Sequence, residues 1–304
     1  MSYFSKKISE WRESAWLLGI CENGFDDLKA GNIRWIDNGV YKGKKWFADP
    51  FILDYDNKTI HLFVEEFDYK VHRGRIAKLT IDRVQWLVTD CKIILDLSTH
   101  LSFPMIFREG GEVLVCPENY HSGGWNMYRY NATTEHLDYL CQISDMKLTD
   151  ATMWKNEGVY WLLSTYAPKP NGPELTIWQS KIIDGPFEEI QRVKFEENLG
   201  RNAGMIFKYG DKYIRPAQES NHVYGHSMSF QEVSLVNGIY GFKEVYRFYT
   251  PHHIYDSGSH TYNQYEEMAV IDVKGFRHPI AGRFFRLLSW LMVKLHLKKQ
   301  YTFV

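Results

Sequence analysis

A strand–turn–strand unit that recurs four times constrains this chain more than any other feature of its sequence. In the first copy, Trp46-Phe47-Ala48-Asp49-Pro50-Phe51-Ile52-Leu53 is an apolar run of strand length, Asp54 to Lys58 is a turn rich in Asp and Asn, and Ile60 to Val64 is a second apolar run ending in Glu65-Glu66. Two such runs joined by such a turn form a β-hairpin, because short Asp and Asn side chains fold back onto the turn amides. The second copy runs Ser102 to Phe107 and Val113 to Glu118, the third Thr149 to Trp154 and Val159 to Thr165, the fourth Asn202 to Phe207 and Tyr213 to Gln218. With Pro50, Pro104, Ala151 and Gly204 as equivalent anchors, the copies are spaced 54, 47 and 53 residues apart. A lone hairpin cannot cover its own apolar face. A period of about 40 to 50 residues with four strands per unit is that of a β-propeller, in which each small sheet is covered by its neighbours. The alternative is a β-sandwich whose hairpins are similar by coincidence.

The first blade is expected from about Ile33 to Ile81, the second to end near Leu140, the third to run through Glu174–Ser180 to Phe187, the fourth through His226–Val233, and a fifth to use Glu266 to Val273. An isolated strand at Ser14–Cys21 then completes the last blade and closes the ring. The expected fold is all-β, a five-bladed β-propeller over residues 1–281, with a C-terminal amphipathic α-helix in 282–304. In that tail Phe284, Leu288, Leu291 and Leu295 recur at helical spacing, with Arg283, Arg286, Lys294 and Lys298 on the other side. A basic amphipathic helix lies in a membrane interface or docks on its own domain.

Composition narrows the partners. A formal net charge of −1 gives no global field for nucleic acid. Cys21, Cys91, Cys116 and Cys141 fall singly, without zinc-ligand spacing, and reduced thiols fit a cytoplasmic protein. The start has no apolar core, so no secretory signal is expected, and no run of about 18 uncharged apolar residues offers a membrane span. Walker, G-x-G-x-x-G and G-x-S-x-G motifs are missing, which disfavours a P-loop NTPase, a Rossmann enzyme and a serine hydrolase. The 16% aromatic content suits both strands and sugar stacking.

The copies differ at equivalent positions, and the differences carry the chemistry. Before the anchor stand Asp49, Phe103, Asp150 and Ala203; near the end of the second strand stand Glu65-Glu66, Glu118, Thr165 and Gln218-Glu219. Inner strands of a propeller line its channel, so acids from separate blades converge there, where burial raises their pKa towards use in acid or base catalysis. Asp49, Glu118 and Asp150 are the candidate catalytic carboxylates, of the kind glycosyl chemistry uses; any one of them alone is better read as a turn cap or an Arg partner, and it is the set converging from separate blades that favours function. Trp46, Glu66, His100, Arg201, Arg215, Gln218, Glu219, Tyr224 and His253 are candidate substrate-binding residues, Arg201 and Arg215 because a forked guanidinium suits phosphate or a sugar carboxylate. His252, His253, Asp256 and His260 cluster in sequence, but their spacing matches no standard metal site, and neither metal nor cofactor is expected.

The ordered series Ala48-Asp49-Pro50-Phe51, His100-Leu101-Ser102-Phe103-Pro104, Pro117-Glu118, Asp150-Ala151, Asp184-Gly185-Pro186-Phe187, Arg201-Asn202-Ala203-Gly204, Arg215-Pro216-Ala217-Gln218, Tyr224-Gly225 and His252-His253 resembles a known domain. It is the propeller at the N-terminus of plant glucosamine inositolphosphorylceramide transferases, found also in bacterial surface-polysaccharide loci, and similar in turn to the five-bladed propellers of glycoside hydrolase families 43 and 32. The resemblance covers about residues 40 to 275. It implies that Asp49 matches the blade-one general base; Phe103 stands at the corresponding place in blade two, and Asp150 follows a blade later. The plant enzymes carry a separate transferase domain. The expectation is glycosyl transfer in bacterial surface-glycan assembly, at the cytoplasmic side of the membrane and on a lipid-linked or phosphate-containing acceptor. A family 43-like glycoside hydrolase and a non-catalytic glycan-binding propeller are the alternatives.

Overall fold

The computed structural model describes residues 10–221 and 223–295. The chain enters with β1 (Ser14–Cys21), a short helix α1 (Gly24–Ala30) and β2 (Arg34–Trp35). Blade one follows as β3 (Lys45–Tyr55), β4 (Thr59–Asp68), β5 (Gly74–Asp82) and β6 (Leu87–Leu95). Blade two is β7 (Ser102–Glu109), β8 (Glu112–Glu118), β9 (Trp125–Asn131) and β10 (His136–Ser144); blade three is β11 (Leu148–Asn156), β12 (Val159–Tyr166), β13 (Glu174–Ser180) and β14 (Glu188–Lys194). Blade four is β15 (Phe207–Tyr209), β16 (Lys212–Glu219), β17 (Ser227–Val236) and β18 (Ile239–Phe248). Blade five combines both ends of the chain: β19 (Tyr262–Tyr265) and β20 (Met268–Phe276) pair with β1, and β1 pairs with β2. Arg34–Trp35 thus belongs to blade five rather than blade one, and blade one continues to Leu95.

Local chemistry explains the hairpins. Asp56 Oδ1 accepts the amides of Lys58 and Thr59, each at 2.7 Å, Asp82 does the same for Val84 and Gln85, and Asn131 for Thr133 and Thr134. Each acid or amide closes its turn by taking N–H groups that the ladder leaves free. The apolar side chains lie between blades. Phe51, Phe63, Phe103 and Met105 belong to a cluster spanning blades one to three, while Leu18, Phe47, Ile60 and Val270 join blade five to blade one. Each of these side chains contributes about 1.5–3 kcal/mol through burial, so blade docking rather than any single sheet holds the ring.

Three inner strands share one break in register. In β3, β7 and β11 the pairing slips between Ala48 and Phe51, Ser102 and Met105, and Thr149 and Thr152. The extra residues include Asp49, Phe103 and Asp150, all non-glycine residues in the left-handed region, with φ of 50°, 43° and 43°. Such a backbone costs about 1–3 kcal/mol unless its surroundings fix it. Here a carboxylate of the preceding blade, counted around the ring, catches each displaced amide. Asp272 accepts Asp49 N–H at 3.0 Å, Asp49 accepts Phe103 N–H at 3.0 Å, and Glu118 accepts Asp150 N–H at 2.8 Å.

Helix α2 (Pro279–Lys294) begins three residues before the position expected from the sequence. One side meets the propeller: Phe285 stacks on Trp11 at 6.3 Å, Gly282 lies against Phe276 where a side chain would collide, and Arg283 pairs with Asp256 at 3.1 Å. The expected row Phe284, Leu288, Leu291 and Leu295 is exposed, together with Ile280, Leu287 and Met292. These seven positions fall in one arc of about 140° on the helix. Lys298 lies outside the described residues, and no described helix is long and apolar enough to cross a membrane.

Candidate active site at the channel mouth

Two groups of polar side chains meet where the blades converge. On one side stand Asp49 from β3, His260 and Thr261 from the segment before β19, and Asp272 from β20. Thr261 donates its hydroxyl to Asp49 Oδ1 at 2.7 Å, His260 Nδ1 lies 2.8 Å from Asp272, and His260 Nε2 lies 3.6 Å from Asp49. Trp16 of β1 stacks on the His260 ring at 3.9 Å, which fixes the imidazole plane. On the other side stand Glu118 from β8, Asp150 from β11, Arg201, and Gln218 from β16. Arg201 forks onto Asp150, with Nε at 2.6 Å and Nη2 at 3.1 Å, and the same Nη2 reaches Glu118 Oε2 at 3.3 Å. Gln218 Nε2 donates to Asp150 Oδ2 at 2.5 Å. Tyr224 bridges the two groups, its ring 5.3 Å from His260 and 5.2 Å from the Arg201 guanidinium.

Burial and charge divide the carboxyls. Asp49 is 4% exposed; burial pushes its pKa up to about 7, helped by the charges of Asp150, Glu65 and Asp272 and opposed by His260. Burial pushes Glu118 further, to about 8, with Arg201 opposing and Asp150 adding repulsion. Asp150 is buried just as deeply, but the Arg201 fork outweighs that burial and holds it below the ordinary range. Burial likewise works against a charged His260, and the Asp272 and Asp49 carboxylates override it. Burial thus favours the protonated form of Glu118, the Arg201 fork favours the ionised form of Asp150, and burial draws Asp49 up towards neutrality.

The remaining candidates separate into mouth and scaffold. His100 lies at the mouth, its Nε2 3.2 Å from Glu65. That carboxylate outweighs burial and draws the ring up to about 9, yet Gly74 N–H donates to Nδ1 at 3.0 Å; the hydrogen bond requires an unprotonated Nδ1, so we assign the neutral Nε2–H form. Trp46 is half-buried, stacked on Phe67 at 4.7 Å beside Trp16. Arg215 is a correction: it is 0% exposed and spends its donors on Asn202 Oδ1, Gln231 Oε1 and the carbonyls of Leu199 and Gly200, so it ties blade four together and reaches no ligand. Glu66 is likewise buried, held by Lys45 at 2.5 Å and Arg75 at 2.9 Å. Glu219 caps the loop that carries Tyr224, accepting from Asn221 N–H and Ser227 Oγ and meeting His226 Nδ1 at 2.7 Å. His253 is exposed and stacks on His252 beside α2. The His252–His260 cluster does not assemble: His252 Nδ1 accepts the Ile254 and Tyr255 amides, Asp256 pairs with Arg283, and only His260 enters the channel.

Sequence reasoning missed Trp16, Thr261, Asp272 and Lys274. The signal for Asp272 was present as a lone carboxylate in the apolar run Ala269-Val270-Ile271-Asp272-Val273. Asp49, His260 and Asp272 place one possible metal-ligand atom each within 4.8 Å of one another. Asp272, however, already accepts from the Asp49, His260 and Thr261 amides and the His260 ring, which is the donor set of a hydrogen-bonded clamp rather than of a cation seat.

Comparison with known proteins agrees with this architecture. A thermostable family-43 glycoside hydrolase superposes with a TM-score of 0.53 at 14% identity, covering 72% of this chain and 83% of that one; Bacteroides ovatus xyloglucan PUL GH43B gives 0.52 at 11%, covering 77% and 51%. At such identities the likeness is one of fold. Glucosamine inositolphosphorylceramide transferase 1 of Arabidopsis thaliana is 30% identical over 214 residues, and that of Oryza sativa subsp. japonica 27% over 211, each alignment covering 66% of this chain. The chain spans 26% and 27% of the lengths of those two plant proteins. The family model described as glucosamine inositolphosphorylceramide transferase 1, N-terminal, matches residues 37–274, and the chain belongs to that family.

Proposed function

We propose that this propeller is a carbohydrate-active protein that binds a sugar at the channel mouth and carries out glycosyl transfer there. The observation that carries the reading is geometric: buried Glu118 and Asp150 meet under one arginine that forks onto Asp150, so burial favours a protonated Glu118 and the fork an ionised Asp150, with buried Asp49 drawn up towards neutrality. Glu118, whose carboxyl shares a hydrogen bond with the Asp150 side chain and accepts the Asp150 amide and Arg201 on Oε2, then donates its proton to a departing glycosidic oxygen. Asp150 stabilises positive charge developing on the sugar ring, and Asp49, backed by His260, accepts the proton of the incoming hydroxyl. The plant relatives are named for transfer onto an inositolphosphorylceramide, which supports a lipid-linked acceptor. Asp49→Asn tests the reading with sugar-nucleotide donors and a lipid-linked acceptor: turnover should fall by about 10²–10⁴ while sugar binding persists. Unchanged turnover removes Asp49 from the chemistry, and release of free sugar instead of transfer identifies a hydrolase. A second reading, glycan binding without catalysis, is favoured by the blade-clamping bonds of Asp49 and Glu118; wild-type protein that binds sugar but turns over neither donor nor glycoside would establish it.

The same proposal places the protein at the inner face of a cell membrane, in assembly of a bacterial surface glycan. Its support is the exposed apolar arc of α2, bordered by Lys294 in the last turn. Buried in acyl chains, that arc holds the helix in the interface, and each basic residue near anionic headgroups adds about 1 kcal/mol. Leu288→Glu with Leu291→Glu changes exposed positions only, so the fold should persist while sedimentation with phosphatidylglycerol vesicles is lost. Unaltered sedimentation of the double variant overturns the membrane reading.

A further inference from the structure

The channel mouth holds a cation that the proposed chemistry does not use. Lys274 lies on β20 two residues after Asp272, so the two side chains leave the same face of the strand. Its Nζ lies 5.5 Å from the Trp16 ring centroid and 5.4 Å from that of Tyr224. The neighbouring cations are neutralised, Arg201 by Asp150 and His260 by Asp272. Lys274 is not. The acid nearest to it along the strand, Asp272, is occupied by the amides of Asp49, His260 and Thr261 and by the His260 ring. Among the described residues no oxygen accepts a hydrogen bond from Nζ and no carboxylate forms an ion pair with it. An ammonium carries three donors, and this half-buried one, whose Nζ is not sealed from solvent, keeps them available to an incoming acceptor. Aromatic faces hold such a cation in place without consuming its N–H groups.

We infer that Lys274, held against Trp16 and Tyr224, anchors an anionic group, a phosphate or a carboxylate, carried by the sugar that enters the channel. The inference rests on the reading of the mouth as a sugar site and narrows it to acidic sugars and sugar phosphates. It also orients them, with the anionic group on the Trp16 side and the glycosidic bond towards Glu118 and Asp150.

Isothermal titration of the full chain at pH 7 with glucose, glucuronate, glucose 1-phosphate and inorganic phosphate tests it, on wild type, Lys274→Met and Lys274→Arg. At least one of the two anionic sugars should bind about tenfold or more tightly than glucose. Lys274→Met should erase that preference without altering glucose binding, and Lys274→Arg should keep most of it. Whichever anionic sugar is preferred identifies the group as carboxylate or phosphate. Equal affinities in wild type, or a preference that survives Lys274→Met, overturns the inference and leaves the sugar site standing. If none of the sugars binds, the sugar reading fails for these probes and inorganic phosphate decides alone: saturable binding lost in Lys274→Met upholds the anion site, and no binding to wild type overturns it. Thermal unfolding guards against misfolding, since removing an unpaired half-buried charge should leave Lys274→Met at least as stable as wild type; a large drop in Tm would mean that Lys274 is a scaffold residue and would also overturn the inference.

Discussion

Glu118→Gln separates a carboxyl that holds a proton from an ordinary structural acid. Glu118 is 8% exposed, and burial pushes its pKa to about 8 from an ordinary 4.5. A folded-state pKa above the unfolded value means that the folded protein keeps a proton the unfolded chain has released. The associated stability is therefore complete below about 4.5 and is lost as pH rises through about 8. That interval, 8 minus 4.5 or 3.5 pH units, bounds the loss at about 5 kcal/mol, at about 1.4 kcal/mol per pH unit. Incomplete ionisation at the upper end and relaxation around a buried charge bring the expected value to about 2–4 kcal/mol. Glutamine keeps the shape and an acceptor for the Asp150 amide and Arg201 but cannot ionise. Urea denaturation of both proteins from pH 5 to pH 8 should show wild type losing about 2–4 kcal/mol relative to the variant across the window. Asp150 does not enter this window, because its depressed pKa withdraws its contribution only at pH below the ordinary 3.8. Asp49 and His260 titrate in both proteins and largely cancel in the difference. Curves that stay parallel within about 0.5 kcal/mol would refute the reasoning.

Arg201→Met strips the partner from a buried carboxylate and should cost about 3–5 kcal/mol at pH 7 by denaturant unfolding, the loss shrinking towards pH 4 as Asp150 takes up a proton; a cost under about 1 kcal/mol contradicts the fork's role. Gly204→Ala should destabilise by about 3 kcal/mol or more, because its Cβ would lie 1.8 Å from the Tyr262 carbonyl oxygen at φ +147°. The control Gly210→Ala, at φ +63° with nothing within 4 Å, should cost only about 1–2 kcal/mol, and equal losses in Tm would contradict the account of blade docking.

The inner hairpins were legible because apolar runs flank Asp and Asn turns at a regular spacing, and both properties are local. The outer strands were harder to read: β14 is polar and largely exposed, so its sequence carries little periodicity. Arg34–Trp35 fell to the wrong blade because a two-residue strand is defined by its partner β1 and not by its own residues. Among the acids, Glu65 and Glu66 are adjacent and indistinguishable in sequence, yet strand parity sends Glu65 to His100 and Glu66 to Lys45 and Arg75. The same limit applies to Arg201 and Arg215, one at the mouth and one sealed inside blade four. The slipped pairing that aims Asp49 and Asp150 depends on amides caught by another blade, a long-range condition with no local signature.

The central claim is that the blades keep one carboxyl protonated beside an ionised one at neutral pH, and infrared spectroscopy of the carboxyl C=O stretch measures this directly. Wild type at pH 7 should show protonated-carboxyl absorption from Glu118 and from Asp49; the Glu118 component should be lost in Glu118→Gln and fade in wild type as pH rises through about 8, while the Asp49 component remains in that variant. The Glu118 component should persist in Asp49→Asn. Absence of any protonated-carboxyl band at pH 7, or a band indifferent to Glu118→Gln, would contradict the account.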